Sequence, residues 1–284
     1  MNDVEAMMLL ACAVEPASVR ANQLLTDYSP SELIARSHLL QGALHSRIEE
    51  INLAHVQGQM RSLNARFMCR WDSEWPAPLN DLALLTPMGI WLRGRDFKKP
   101  AIALVGARSC SIYGEDIAMT LAADVAQAGV SVISGGALGI DAAAHRGALA
   151  VGGHTVAVLA GGVDQLYPQS NSKLFQSILE SGTLMSESPP QVPPVRHRFL
   201  IRNRLIAALG DVTVVVEARH RSGAIATASH AAALNRDVAA VPGPVSSATS
   251  TGCHALIRDG AVLVTTADDI LELCVTPQSR ICVD

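Results

Sequence analysis

From Pro100 onward, short unbroken apolar runs alternate with helix-length segments, and this alternation constrains the fold most. Ala101–Val105 ends at Gly106, and 130–133 ends at Ser134-Gly135-Gly136. The run 155–159 leads into Gly161-Gly162, and Leu184-Met185 into Ser186-Glu187. The run 212–216 ends at Glu217, and 238–241 ends at Pro242-Gly243. Between them, 114–128, 138–150, 170–181 and 223–235 have helical length and pattern. A strand that is apolar at every position is buried on both faces, which is the condition of a parallel sheet sandwiched between helices. The expectation is a doubly wound, Rossmann-like α/β domain over 99–274.

The first 68 residues have a different texture. Leu9, Leu10 and Ala13 recur at helical spacing, Ser29-Pro30-Ser31-Glu32 has the form of a helix start, and Ile48, Ile51, Leu53, Val56 and Met60 form a third run. A small helical domain is expected there. Residues 69–98 form a connector with all three tryptophans, Trp71, Trp75 and Trp91, expected to pin the helical part onto the next domain. Residues 275–284 are expected to be a tail.

Composition narrows the function classes. Apolar residues make up 49% and charged residues 17%, which excludes a mainly disordered chain. No apolar run has the ~18–20 residues of a membrane span, and the acidic start Met1-Asn2-Asp3-Val4-Glu5 is unlike a secretory signal. The six cysteines, at 12, 69, 110, 253, 274 and 282, have no metal-ligand spacing. Reduced thiols in a cytoplasmic protein, with no metal, no cofactor and no membrane partner, are expected. A net charge of −4 excludes a general polycation, so any polyanion must be held locally.

In such a sheet, ligands bind at the carboxyl ends of the strands. Here those ends carry Gly106-Ala107-Arg108-Ser109, the turn with Gly135, Gly136 and Gly139, and Gly161-Gly162. One such glycine would do no more than end a strand, but the set suggests a row of anion sites beside helix N-termini. Neither the dinucleotide fingerprint nor the phosphate loop ending in Lys is present. Lysines are only three, Lys98, Lys99 and Lys173, and arginine takes their place. Arg196, Arg198, Arg202, Arg204, Arg219 and Arg221 face only Asp211 and Glu217 between 196 and 221, and guanidiniums hold phosphates bidentately. Glu217 could orient one of them. Tyr113, Tyr167 and Phe199 are the aromatics placed to stack on bases. His145, one helical turn after Asp141, suits a capping or packing pair better than a catalytic one. No activated nucleophile emerges, so the chain reads as non-catalytic.

The ordered strings resemble the DNA processing protein family DprA, also called Smf. They run from Val105-Gly106-Ala107-Arg108 through Ser134–His145, Ala157–Gly162, Tyr167-Pro168, Arg202-Asn203-Arg204, Ser222-Gly223 and Val241-Pro242-Gly243 to Gly252–Ile257. The resemblance covers about 70–265. It implies a helical N-terminal domain of sterile-alpha-motif type and an extended Rossmann domain. It also implies single-stranded DNA binding, protection of incoming DNA in transformation, loading of the recombinase RecA, and a dimer. By motif position, Arg108 matches the arginine of the family's G-S/A-R turn, and Arg202, Asn203 and Arg204 match its R-N-R motif. The expected DNA edge therefore joins these to Ser109, the glycine turns, Lys173, Arg196, Arg198, Arg221, Ser222 and Gly223. Leu138 stands where many members carry Arg, Leu200-Ile201 follow Phe199 where a proline is usual, and the chain ends at Asp284 without the winged helix that many members have. The competing possibility is a nucleotide-monophosphate hydrolase related to the LOG proteins, from whose P-G-G-x-G-T string Pro242-Gly243-Pro244 departs. For the dimer, a short helix at 254–257 and a last strand at 261–264 are expected at the sheet edge, with His254, Ile257 and Leu263 meeting a twin.

Overall fold

The computed structural model describes residues 1–39 and 44–275. In chain order the helices and strands are α1 (Asp3–Ala13), α2 (Val19–Asp27), α3 (Pro30–Ala35), α4 (Leu44–Glu50), α5 (Leu53–Leu63), β1 (Ala65–Met68), β2 (Ile90–Gly94), β3 (Ala101–Val105), α6 (Ile112–Gln127), β4 (Ser131–Ser134) and α7 (Ile140–Ala150). They continue with β5 (Thr155–Leu159), α8 (Ser172–Ser181), β6 (Thr183–Ser186), α9 (Arg196–Leu209), β7 (Val212–Val215), α10 (Gly223–Ala233), β8 (Asp237–Ala240), α11 (Thr251–Arg258), β9 (Val262–Leu263) and α12 (Ala267–Val275). The tail expected over 275–284 lies outside the described residues beyond Val275.

The packing divides the chain into two compact units. One is Met1–Phe97 with Ala157–Leu205; the other is Lys98–Val156 with the chain from Ile206 onward. The helical segment, the connector and part of the α/β run therefore share a unit.

In the first unit, β1 pairs antiparallel with β2, and β2 antiparallel with β6. β1 falls at the end of the expected helical domain and β2 in the expected connector, where no strand was expected. The physical reason lies in a turn and an aromatic pair: Asn64, at φ +50, ends α5 in a left-handed turn, and Phe67 lands opposite Trp91 across the pair. Their rings lie 4.9 Å apart, an aromatic cross-strand contact. Trp91 is fully buried with Met7, Leu10, Leu33 and Ile48 of the helical segment, so it does pin the helices. Trp75 is buried and donates to Asn80 Oδ1 at 3.0 Å, whereas Trp71 is largely exposed.

The second unit is the doubly wound sheet. Its strand order is β4-β3-β7-β8-β9, all parallel. Ile102, Leu104, Val212, Val214 and Ala239 point to one face and pack against Leu121 and Val125 of α6, Ala143 and Ala144 of α7, and Ile270 of α12. Their alternates, Ala103, Val105, Val215 and Ala240, are buried as well. α10 packs on β7 and β8 but is absent from the core of the first face. Both faces are covered, as all-apolar strands require. Helices leave β3 toward β4 on one side and β7 toward β8 on the other. The strand order therefore reverses between β3 and β7, and such a switch point opens a crevice at the carboxyl ends.

Among the described residues no helix is long and apolar enough to cross a membrane.

Candidate nucleic-acid interface

The switch-point crevice lies within the second unit. β3 and β7 run in register to Val105 and Val215, so the loops after them emerge side by side. Gly106 turns the first loop: a Cβ there would stand 2.6 Å from Ile140 Cγ1 and 2.9 Å from Glu217 O. Ser111 then caps α6, its Oγ accepting from Gly114 N at 3.1 Å. Ser111 also donates to Glu217 twice, from N at 2.8 Å and from Oγ at 2.7 Å, and Thr249 Oγ1 donates a third bond at 3.0 Å. Gly114 leaves the room, since a Cβ on it would lie 2.5 Å from Glu217 Oε2.

The expected role of Glu217, orienting an arginine, is thus replaced. Its buried carboxylate partners Ser111 and Thr249 at the N-terminus of α6. In dinucleotide folds this position takes the pyrophosphate. Here the chain fills it with its own anion. The next turn does the same: Asp141, in the first turn of α7, accepts from Gly135 N at 3.1 Å and Ala137 N at 3.3 Å. Gly139, at φ +73, faces the Ala107 and Arg108 carbonyls and braces the Arg108 loop. His145 is buried, with Nδ1 2.7 Å from Thr155 Oγ1, whose hydroxyl donates to Val132 O. The pair 141/145 therefore caps and packs.

What the crevice leaves exposed is basic. Arg108 and Ser109 are exposed on the loop after β3; Arg219 and Arg221 are exposed on the loop after β7. Ser222 caps α10 through Ile225 N at 3.4 Å, and Gly223 begins that helix. Tyr113 donates to Pro242 O at 2.9 Å and keeps its ring partly open to solvent.

In the first unit the expected edge residues behave differently. A Cβ on Gly161 would lie 2.8 Å from Pro194 N and from Val192 O. The Gly162 amide, expected to be open to a phosphate, donates to Val192 O at 2.8 Å. These glycines serve close packing against 189–194. Arg202 and Arg204, expected to face the edge, are only 6% and 2% exposed. Arg202 donates to Val158 O. Arg204 donates to Leu85 O at 3.1 Å, to Ile201 O at 3.3 Å and to Glu187 Oε1 at 2.8 Å. Asn203 is buried between them. From Arg202 onward every residue of α9 is buried, so these guanidiniums are enclosed, with carbonyls and a carboxylate among their partners. Glu187, which the sequence did not single out, is the partner that makes this possible. Arg198 is paired with Glu15, while Arg196 and Lys173 are exposed. Tyr167 and Phe199 meet edge to face with centroids 5.6 Å apart.

At the sheet edge, β9 is the last strand of the second unit. Leu263 on it is 50% exposed and Ile257 is half-buried. His254 Nε2 lies 3.0 Å from Gly243 O. Burial pushes the thiols of Cys253 and Cys274 up to about 11, and that of Cys12 to about 12. Among the described residues no group of His, Cys, Asp and Glu is arranged to hold a metal ion.

Comparison with known proteins fits this architecture. A putative DNA processing protein DprA from Mycobacterium tuberculosis is 54% identical over 191 residues, covering 66% of this chain and 49% of that protein. Protein Smf of Escherichia coli K12 is 44% identical over 172 residues, covering 60% of this chain and 46% of that protein. The chain spans about half the length of these curated relatives. The X-ray structure of DNA processing protein A from Streptococcus pneumoniae superimposes with a TM-score of 0.84 at 29% identity, over 96% of this chain and 98% of that one. A Helicobacter pylori DNA processing protein A, described for its unique single-stranded DNA binding mode, superimposes with a TM-score of 0.66 at 27% identity, over 74% of this chain and 95% of that one. Residues 66–275 match the family model for DNA recombination-mediator protein A, and the chain belongs to that family.

Proposed function

We propose that this chain binds single-stranded DNA through its backbone, without catalysis or cofactor, and acts as a recombination mediator. The observation that carries this is the switch-point crevice of the second unit. Its inner phosphate positions are filled by Glu217 and Asp141, while Arg108, Ser109, Arg219 and Arg221 remain exposed on adjoining loops. A crevice of this kind suits an extended polyanion running along its rim better than a nucleotide held inside it. Gly106, Gly135, Gly136 and Gly139 shape that rim, and Ser222-Gly223 present the start of α10. The H. pylori relative, described for single-stranded DNA binding, supports the same ligand. In the first unit, Lys173 and Arg196 are further exposed cations, while Arg202 and Arg204 bond to carbonyls and a carboxylate of that same unit.

Protection of incoming DNA and loading of RecA extend this proposal, as does a homodimer through His254, Ile257 and Leu263. A chain read through its phosphates shows weak sequence preference. The test is affinity for an oligo-dT strand across salt concentration. Arg108→Ala and Arg221→Ala should each weaken binding and lower the log–log salt slope by about 0.7. Wild-type affinity and slope in both variants would refute the crevice as the DNA site.

A further inference from the structure

The start of α9 carries an electrostatic conflict. Its first three residues are Arg196, His197 and Arg198, and its first turn holds no acidic residue. A helix N-terminus is itself positive, so the two arginines there repel it and one another unless an anion sits among them. Within the same unit that anion is Glu15, on the loop between α1 and α2. Arg198 Nη2 lies 2.8 Å and 3.1 Å from the two Glu15 oxygens, and Nε donates to Oε2 at 3.2 Å. Arg198 Nη1 donates to Pro193 O at 3.1 Å, which aims the guanidinium fork at the carboxylate. His197 Nε2 stands 3.7 Å from Glu15 Oε2.

This is the bidentate geometry by which a guanidinium grips a phosphate. The Arg198 side chain is 15% exposed and Glu15 is 50% exposed, so the acid lies on the solvent side of the pair. One carboxylate meets Arg198 and His197, and the two arginines of this turn have no acidic residue in the turn itself. We infer that Glu15 is an internal stand-in for phosphate at the basic start of α9, and that a polyphosphate backbone binds there by displacing it. The inference rests on the proposed binding of single-stranded DNA and adds to it a gate that sets affinity. The exchange is easy because a half-exposed ion pair is weak, and a chain of phosphates offers Arg196, His197 and Arg198 several charges where Glu15 offers one.

The test uses the whole chain, with oligo-dT and inorganic polyphosphate as two separate probes. Glu15→Gln keeps the shape and removes the charge. It should bind both probes about two- to fivefold more tightly at low salt, the size of an exposed ion pair, and the gain should shrink as salt is added. Arg198→Ala should abolish the gain, so that Glu15→Gln/Arg198→Ala binds as Arg198→Ala does. A purely structural Glu15 would lower the melting temperature and leave affinity unmoved. Unchanged or weaker binding of both probes by Glu15→Gln overturns the inference. Failure of the wild type to bind oligo-dT overturns the DNA proposal instead, and tighter binding of polyphosphate by Glu15→Gln would still sustain the gate. Wild-type and Glu15→Gln chains that bind neither probe overturn both.

Discussion

At the residue scale, Arg204 and Glu187 show how two basic motifs can hold two kinds of arginine. Arg204 resembles Arg108 in sequence context, since both lie where a phosphate contact is expected. Arg108 is exposed, whereas Arg204 is 3% exposed at its side chain and paired to a Glu187 that is 11% exposed. Breaking a buried pair from one side leaves an uncompensated charge, which costs about 3–5 kcal/mol. Arg204→Met should therefore lower stability by that order in urea titration. Arg204→Met with Glu187→Leu should recover much of the loss, because the stranded carboxylate is gone as well. No recovery in the double variant would show that the carbonyl bonds to Leu85 and Ile201, rather than the ion pair, hold α9. Glu15 is the counter-example to Glu187. Its partial burial alone would raise its carboxyl, but the hydrogen bonds and charge of Arg198, with His197 beside it, hold it below the usual range.

At the element scale, turns decide where the site residues sit. Gly139 adopts φ +73 against the Ala107 and Arg108 carbonyls, so Gly139→Ala combines a left-handed strain with a collision into the Arg108 loop. It should cost about 1–3 kcal/mol and also weaken single-stranded DNA binding. Gly129 has φ +82 but nothing within 4 Å of the place a methyl would take, so Gly129→Ala should destabilise while leaving DNA affinity alone. Equal DNA affinities in the two variants would separate the turn from the site. The start of α12 offers a titration. Asp269 accepts from Thr265 N at 2.8 Å and Thr266 N at 2.9 Å, and these backbone bonds hold its carboxyl below the ordinary value. A depressed folded value means that the stabilisation is complete above the unfolded value, about 3.9, and is lost as pH falls through the folded one. The urea midpoint of Asp269→Asn should fall less steeply than that of wild type below about pH 4. Parallel acid limbs would contradict this. The sequence marked the α12 start at Thr265–Asp268 and the six apolar strands from 101 to 241 within a residue or so. It missed β1, read as the end of the helical domain, and β2, read as connector, because four- and five-residue strands of mixed composition carry no clear period until Phe67 is placed across from Trp91.

At the scale of the whole molecule, the short last strand invites association. β9 has two residues, lies at the end of the order in its unit and exposes Leu263. An unpaired edge with an exposed leucine suits a self-complementary two-fold contact. Leu263→Arg should give a folded monomer by light scattering, with weaker single-stranded DNA binding because two linked grooves hold one strand more tightly than either alone. A folded dimer of wild-type affinity would move the interface elsewhere.

The sequence by itself determined the α/β class, the parallel character of the second unit's strands, the glycine-bearing strand ends and the family. All of these depend on local pattern: unbroken apolar runs demand two covered faces, and ordered motifs survive without knowledge of contacts. Only the tertiary structure decided which cations are open to a ligand. Whether an arginine faces solvent or a carboxylate depends on a partner far away in the chain, Glu187 for Arg204 and Glu15 for Arg198, and spacing along the sequence carries no trace of that distance. The same holds for Glu217 and Asp141, whose carboxylates fill the phosphate positions that the glycine turns alone would have left vacant.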